Sequence, residues 1–200
     1  MCFSSVRRLR KNVAINGGRV REASALYCWA EDFISSSPLF SRQSSAWCPP
    51  PVGFLKLNLD VAIRVDSGFI GVGAIIRDSA GDIVVAVSKL LSGFFSAEMG
   101  EFLALREGLI LAKSLGLSIF EAEVDASNVA SAVNLSSNCC GDASFIVDDI
   151  KALCLEVGNC RCLAIPRSGN RLAYVLASMA FSSGVDQSWP SVAKDCFFAV

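Results

Sequence analysis

Among its 200 residues the chain has no histidine. That removes the usual base of a nucleophilic triad and the side chain that most readily shuttles protons near neutral pH. Its nine cysteines are an odd number and none form C-x-x-C; the nearest groupings are Cys139-Cys140 and Cys160-x-Cys162. Without histidine or zinc-ligand spacing, the pattern reads as reduced, mostly buried thiols of an intracellular protein. Long hydrophobic runs are missing too. The apolar fraction is 52%, yet Arg106, Glu107, Lys113 and Asp149 break the longest stretches before the roughly 18 residues a membrane span needs. The opening MCFSSVRRLRKN has charge with no apolar segment behind it, so no secretory signal is expected. Acids are absent from residues 1–21, which carry Arg7, Arg8, Arg10, Lys11, Arg19 and Arg21. Residues 22–200 hold 12 basic against 19 acidic residues, a net charge of −7. Sequence-independent grip on nucleic acid rests on Lys and Arg. Such binding must therefore work without a large basic face or borrow the N-terminal arm.

What is present is patterned. In FLKLNLDVA, Leu55, Leu57 and Leu59 alternate with Lys56, Asn58 and Asp60, the period of a half-buried strand. Asp60 is on the polar side. An acid held by a strand is rigid and suits metal binding, although an isolated Asp is ordinarily a solvated one. Residues 1–46 read as a basic arm, a short amphipathic helix over Arg21–Phe33 and a Ser-rich linker. The first 21 residues also imitate an organelle transit peptide in composition, with a disordered arm as the ordinary reading. The domain proper is expected over 47–200. Trp47-Cys48-Pro49-Pro50-Pro51 forms a stiff extended lead-in. Strands follow at Phe54–Ala62, Phe69–Arg77 and Asp82–Leu91, joined by the turns Asp66-Ser67-Gly68 and Asp78-Ser79-Ala80-Gly81, as an antiparallel meander. Gly71 and Gly73 predict a close backbone approach or a bulge.

The period then changes. Phe102, Leu105, Leu109 and Ala112 predict a helix over Ala97–Leu115, ended near Gly116. A short strand, Ser118–Val124, has Asp125 at its end. A helix through about Leu135, a loop over 136–142, a helix over Ser144–Val157, a strand over Cys160–Ile165 and a last helix over Asn170–Ser183 complete the order βββαβααβα. Strands alternating with helices after a meander imply a mixed sheet with helices on both faces. Arg77-Asp78 reads as a surface pair at a strand end. Trp29, Trp47 and Trp189 read as packing anchors. Arg167 is either a phosphate contact or a solvated loop charge.

Three acids stand where chemistry could use them: Asp60 in the first strand, Glu101 near the start of the long helix and Asp125 closing the fourth strand. Crowded carboxylates repel, so one keeps a proton unless a cation is present; Mg²⁺ prefers such oxygen ligands. With these residues in place, the chain resembles the plant ribonuclease H-like domain family, related to the ribonuclease H part of retroelement reverse transcriptases. The resemblance rests on WCPPPVGFLKLNLDVA, GVGAIIRDSAGDIV, SAEMGEFLALREGLILAKSLGL, EAEVDASNV and PRSGNRLAYVLASMA, in the family's order over residues 47–183. The tail with Trp189-Pro190 and Asp195 fits the usual ending.

The resemblance implies an α/β ribonuclease H-like fold with a five-stranded mixed sheet. It implies Mg²⁺ or Mn²⁺ held by Asp60, Glu101 and Asp125, the same three acting as catalytic residues, with Glu98 a rival one turn earlier. Asn170 and Arg167 would bind substrate. The implied activity is hydrolysis of the RNA strand of RNA–DNA hybrids; the alternative is a catalytically impaired module that binds nucleic acid or a protein. A monomer in the nucleus or cytoplasm, off the membrane, is expected. Two departures stand out. Val61 replaces the glycine of the family's Asp-Gly-Ala, where it could crowd substrate or metal. Tyr174 stands where the family has His or Asp, and a neutral phenol is a poor metal ligand and a poor base near neutral pH.

Overall fold

The alternation of leucine with polar residues forms strand β2, Lys56–Ile63, which becomes the middle of the molecule rather than a half-solvated surface. The structure, a computed structural model, describes residues 47–64, 67–135 and 143–190, together with the backbone of Arg19–Val20. Strands β3 (Phe69–Arg77) and β4 (Ile83–Ser92) complete the expected meander, both pairings antiparallel. Helix α1 follows over Ala97–Leu115. Its Ser96 cap accepts from the Met99 amide, and Gly116 ends it at φ 67, a conformation that glycine adopts without strain. Then come β5 (Glu121–Val124), α2 (Ser127–Asn134), α3 (Ser144–Glu156), β6 (Arg161–Ala164), a 3₁₀ turn (Arg167–Gly169) and α4 (Arg171–Ser183).

Among the described residues the sheet has seven strands, two more than expected; with Arg19–Val20 as β1 and Gln187–Pro190 as β7, the order is β1-β7-β4-β3-β2-β5-β6. The additions are β7, Gln187–Pro190, and the two-residue β1, Arg19–Val20. β7 covers the open edge of β4, where unpaired backbone groups would otherwise remain. Trp189 on it is 1% exposed and packs in the cluster with Leu176 and Met179 of α4, the anchor expected of it. β5 and β6 are parallel additions on the other side of β2. Helices α1, α2 and α3 share one hydrophobic cluster with Leu57 and Leu59, while α4 covers the opposite face at Ile75 and Ala86.

Gly71 and Gly73 mark a close approach, as expected. A side chain at Gly73 would run into the Ala173 carbonyl and the Ala177 amide, and one at Gly71 into the Ala177 carbonyl. The backbone of α4 therefore lies directly on β3. Arg77 and Asp78 are not the surface pair expected from sequence. They are 6% and 2% exposed; Asp78 accepts from the Ala80 and Asp82 amides to close the β3–β4 turn, and Arg77 turns inward to Asn58. Turn closure and an internal partner explain their burial. The helix over Arg21–Phe33, Trp29, the Ser-rich linker and the 136–142 loop lie outside the described residues. Among those described, no helix is long and apolar enough to cross a membrane.

Candidate active site

The parallel register of β2 and β5 builds the site. Lys56 pairs with Glu121 and Asn58 with Glu123. Continuing two residues along each strand, on the same side-chain face, places Asp60 beside Asp125. Three polar rungs thus run side by side. In the first, Lys56 Nζ meets Glu121 at 3.2 Å and also Glu123 at 2.8 Å. In the second, Asn58 Nδ2 donates to Glu123 Oε2 at 2.7 Å. Arg161 Nη2 also pairs with Glu121 at 2.8 Å, so those two rungs are compensated. The third sets acid against acid.

Glu101 completes the third rung from α1. Two turns along that helix, Gly108 rests on Leu59 and Leu57, and Gly100 rests on Val61. Small residues at those positions bring the helix close to β2 and carry Glu101 to Asp60. Ligand oxygens of Asp60, Glu101 and Asp125 all lie within 4.8 Å of one another. The sequence rival, Glu98, stands apart: its carboxylate accepts from Asn128 Nδ2 at 2.7 Å, tying the first turn of α1 to α2.

The acids are crowded and poorly solvated. Asp60 is 5% exposed. Burial, and next the charge of Asp125, push its pKa from 3.8 to about 7, against the pull of the Val61 amide and Arg167. Burial, followed by the charges of Asp60 and Asp125, pushes Glu101 from 4.5 to about 8. Glu101 Oε2 is buried with no hydrogen-bond partner. An all-oxygen donor set with an unsatisfied buried oxygen suits a hard divalent cation. The residues present therefore fit such an ion.

Arg167 is the neighbouring cation. Its Nε donates to Asp125 Oδ2 at 2.7 Å while its own side chain is 87% exposed and that of Asp125 only 6%. Pairing with Asp125 raises the arginine pKa. Asn170 is 1% exposed, and its Nδ2 donates to the Leu59 carbonyl at 2.6 Å. Val61 packs with Ile70, Val72 and Ala104 in an apolar cluster, so its side chain is accommodated by Gly100 rather than standing beside the Asp60 carboxylate. Tyr174 is half-buried on α4, next to Ala173, which abuts Gly73, the cross-strand partner of Asp60.

Reading the sequence strand by strand missed the two lower rungs. The signal was available: Lys56-x-Asn58-x-Asp60 and Glu121-x-Glu123-x-Asp125 are two period-two polar series, each ending in aspartate. Trp47 is more than the packing anchor the sequence predicts: its indole N–H donates to Glu123 Oε2 at 3.0 Å, with Arg77 stacked 3.5 Å from the ring centroid.

A mixed sheet ordered in this way, with helices on both faces and an acid cluster where β2, β5 and α1 meet, defines a ribonuclease H-like fold. The chain belongs to the reverse transcriptase-like family, whose model matches residues 58–180. An Arabidopsis thaliana protein provisionally named a ribonuclease H protein is 30% identical over 136 residues, which are 68% of this chain and 22% of that protein. The chain thus spans about a fifth of that relative's length. Solved structures that share the fold include two ribonucleases H1. Ribonuclease H1 from Halobacterium salinarum has a TM-score of 0.58 at 21% identity, covering 64% of this chain and 98% of its own. The LC11 ribonuclease H1, isolated from compost and solved with an RNA/DNA hybrid, has a TM-score of 0.58 at 19% identity, covering 65% and 98%.

Proposed function

We propose that this domain binds nucleic acid and hydrolyses the RNA strand of RNA–DNA hybrids, with Mg²⁺ or Mn²⁺ held by Asp60, Glu101 and Asp125. The observation that carries the reading is the third rung. Protein interiors rarely leave neighbouring carboxylates uncompensated, because each raises the cost of ionising the next. Here Lys56 and Arg161 balance Glu121 and Glu123, and Asn58 hydrogen-bonds Glu123, while in the third rung Arg167 pairs with Asp125 and leaves Asp60 crowded against Glu101, whose buried Oε2 has no partner.

A bound divalent ion supplies Lewis acidity at the scissile phosphate and neutralises its charge. The chain's own groups supply position. The Val61 amide donates to Asp60 Oδ1 at 2.8 Å and fixes that carboxylate's orientation. Glu101 offers its buried free oxygen from the α1 side. Arg167, exposed and paired with Asp125 through Nε, would meet a phosphate oxygen beside the acids through its guanidinium. Selection of RNA would act through the 2′-hydroxyl in a wide minor groove. Cleavage of a labelled hybrid in Mg²⁺ or Mn²⁺ tests the reading. The wild type should cut and Asp60→Asn should lose at least about 100-fold, as loss of an essential charged group implies. Equal cutting by both would refute it.

Two observations favour a second reading, a binding module of impaired turnover. Tyr174 offers no carboxylate or imidazole where the resembling family has Asp or His, and residues 22–200 carry a net charge of −7. Hybrid binding in Mn²⁺ without any cleavage would select that reading.

A further inference from the structure

The two lower rungs have no part in the chemistry proposed above, yet they are buried and hydrogen-bonded around the segments that carry the acids. Asn58 is 0% exposed; its Oδ1 accepts from Arg77 Nη2 at 2.7 Å, and its Nδ2 lies 2.7 Å from Glu123 Oε2 and 3.3 Å from Asn170 Oδ1. Asn170 then donates to the carbonyl of Leu59, the residue before Asp60. Asn170 also terminates the 3₁₀ turn that carries Arg167, its backbone N–H donating to the Arg167 carbonyl at 3.0 Å. Glu123 lies two residues before Asp125 and accepts from Trp47 on its outer side. One bonded set therefore joins the strand of Asp60, the strand of Asp125, the turn of Arg167 and the lead-in segment at Trp47.

We infer that Asn170 is a positioning residue for the acid site: with Asn58 and Glu123 it fixes the separation of Asp60 and Asp125, and Trp47 locks that frame from outside. Its burial, with both side-chain polar atoms used inside the protein, argues against a direct touch on nucleic acid. Removing one member leaves buried polar partners unsatisfied, and the strands respond by shifting. The inference rests on the metal reading of the acids, and its test separates the two.

The test is calorimetric Mn²⁺ titration and hybrid-cleavage kinetics on the full chain. Asn170→Ala should weaken Mn²⁺ binding by about 10- to 100-fold, the usual effect of losing a group that orients ligands. It should lower kcat and leave KM for the hybrid within about twofold, because no substrate contact is lost. Trp47→Phe keeps a ring under Arg77 and removes only the N–H to Glu123; a smaller weakening of Mn²⁺ binding, about threefold, is expected on the same ground. If Asn170→Ala does not fold, the Trp47→Phe titration decides alone. A raised KM with unchanged Mn²⁺ affinity would make Asn170 a substrate contact and overturn the inference. So would unchanged Mn²⁺ affinity in both variants with only a lower Tm, which would leave the network a purely structural one. Wild type that takes up no Mn²⁺ would bring down the metal reading as well; wild type that binds while the variants bind equally brings down this inference alone.

Discussion

Asp60 and Glu101 tie the acid site to pH. Both hold a proton more firmly in the folded protein than in the unfolded chain. For raised carboxyls the folded state binds more protons, so their contribution is whole below the ordinary values and is lost as pH climbs through the folded ones. The window runs from 3.8 to about 7 for Asp60 and from 4.5 to about 8 for Glu101. The melting temperature of metal-free protein should therefore fall across that window, and Asp60→Asn should flatten the decline. Added Mn²⁺ should raise the melting temperature, more at the top of the window than at its middle, because carboxylates must shed protons to bind. A metal-free profile flat in pH would contradict the crowding of these acids. Tyr174 is the second test at this scale. Tyr174→Asp should tighten Mn²⁺ binding and raise hydrolysis. Tyr174→His, which restores a group able to move protons, should raise the rate by up to about 10²- to 10⁴-fold. Tyr174→Phe should leave the rate unchanged; a wild type that cuts well beside a Phe variant that does not would make the phenol a working group.

Helix α4 and helix α1 approach the sheet through different kinds of contact. On β3, glycine meets backbone: a methyl at Gly73 would strike the Ala173 carbonyl and the Ala177 amide, which cannot move without the whole of α4. On α1, a methyl at Gly108 would strike the end of the Leu59 side chain, which can turn aside. Gly73→Ala should cost about 1–3 kcal/mol or more through overpacking. Gly108→Ala should stay within about 1 kcal/mol of wild type, because better helix propensity offsets the displaced leucine. Urea denaturation midpoints decide between them, and equal losses would show that α1 is as tightly seated as α4. The same contrast explains what could be read from sequence. Strand β3 and helix α1 were legible end to end because periodicity and the Gly116 stop are local signals. Gly71 and Gly73 announced a close neighbour but not which one. The burial of Arg77 and Asp78 was illegible, since Arg77 is satisfied by Asn58 on another strand. β7 was illegible as a strand because Gln187-Ser188-Trp189-Pro190 has no apolar alternation and ends in a proline, so its pairing with β4 has no local signal. The acids were found one by one, but the lower rungs become visible only when the register of β2 against β5 is known.

At the scale of the molecule, charge opposes the proposed partner: residues 22–200 are net acidic while residues 1–21 hold six basic groups and no acid. Hybrid affinity measured in Ca²⁺ should fall with salt, and deleting residues 1–21 should remove most of that dependence, since the slope counts phosphate contacts at about −0.9 each for duplex DNA. A slope that survives the deletion would move those contacts into the folded domain. The strand order has one more consequence, in time rather than space. Asp60 and Glu101 belong to the meander and the helix directly after it, built largely from neighbours in the chain. Asp125 arrives only when β5 inserts beside β2 after the chain has crossed over through α1. Pairings of high sequence separation close late, because the loop must be ordered before contacts reward it. A divalent ion that needs all three carboxylates then has little to hold in the folding transition state. In a chevron, Mn²⁺ should leave the folding arm where it is and lower the unfolding arm, so that the ion acts as a brake on opening rather than as a seed for assembly.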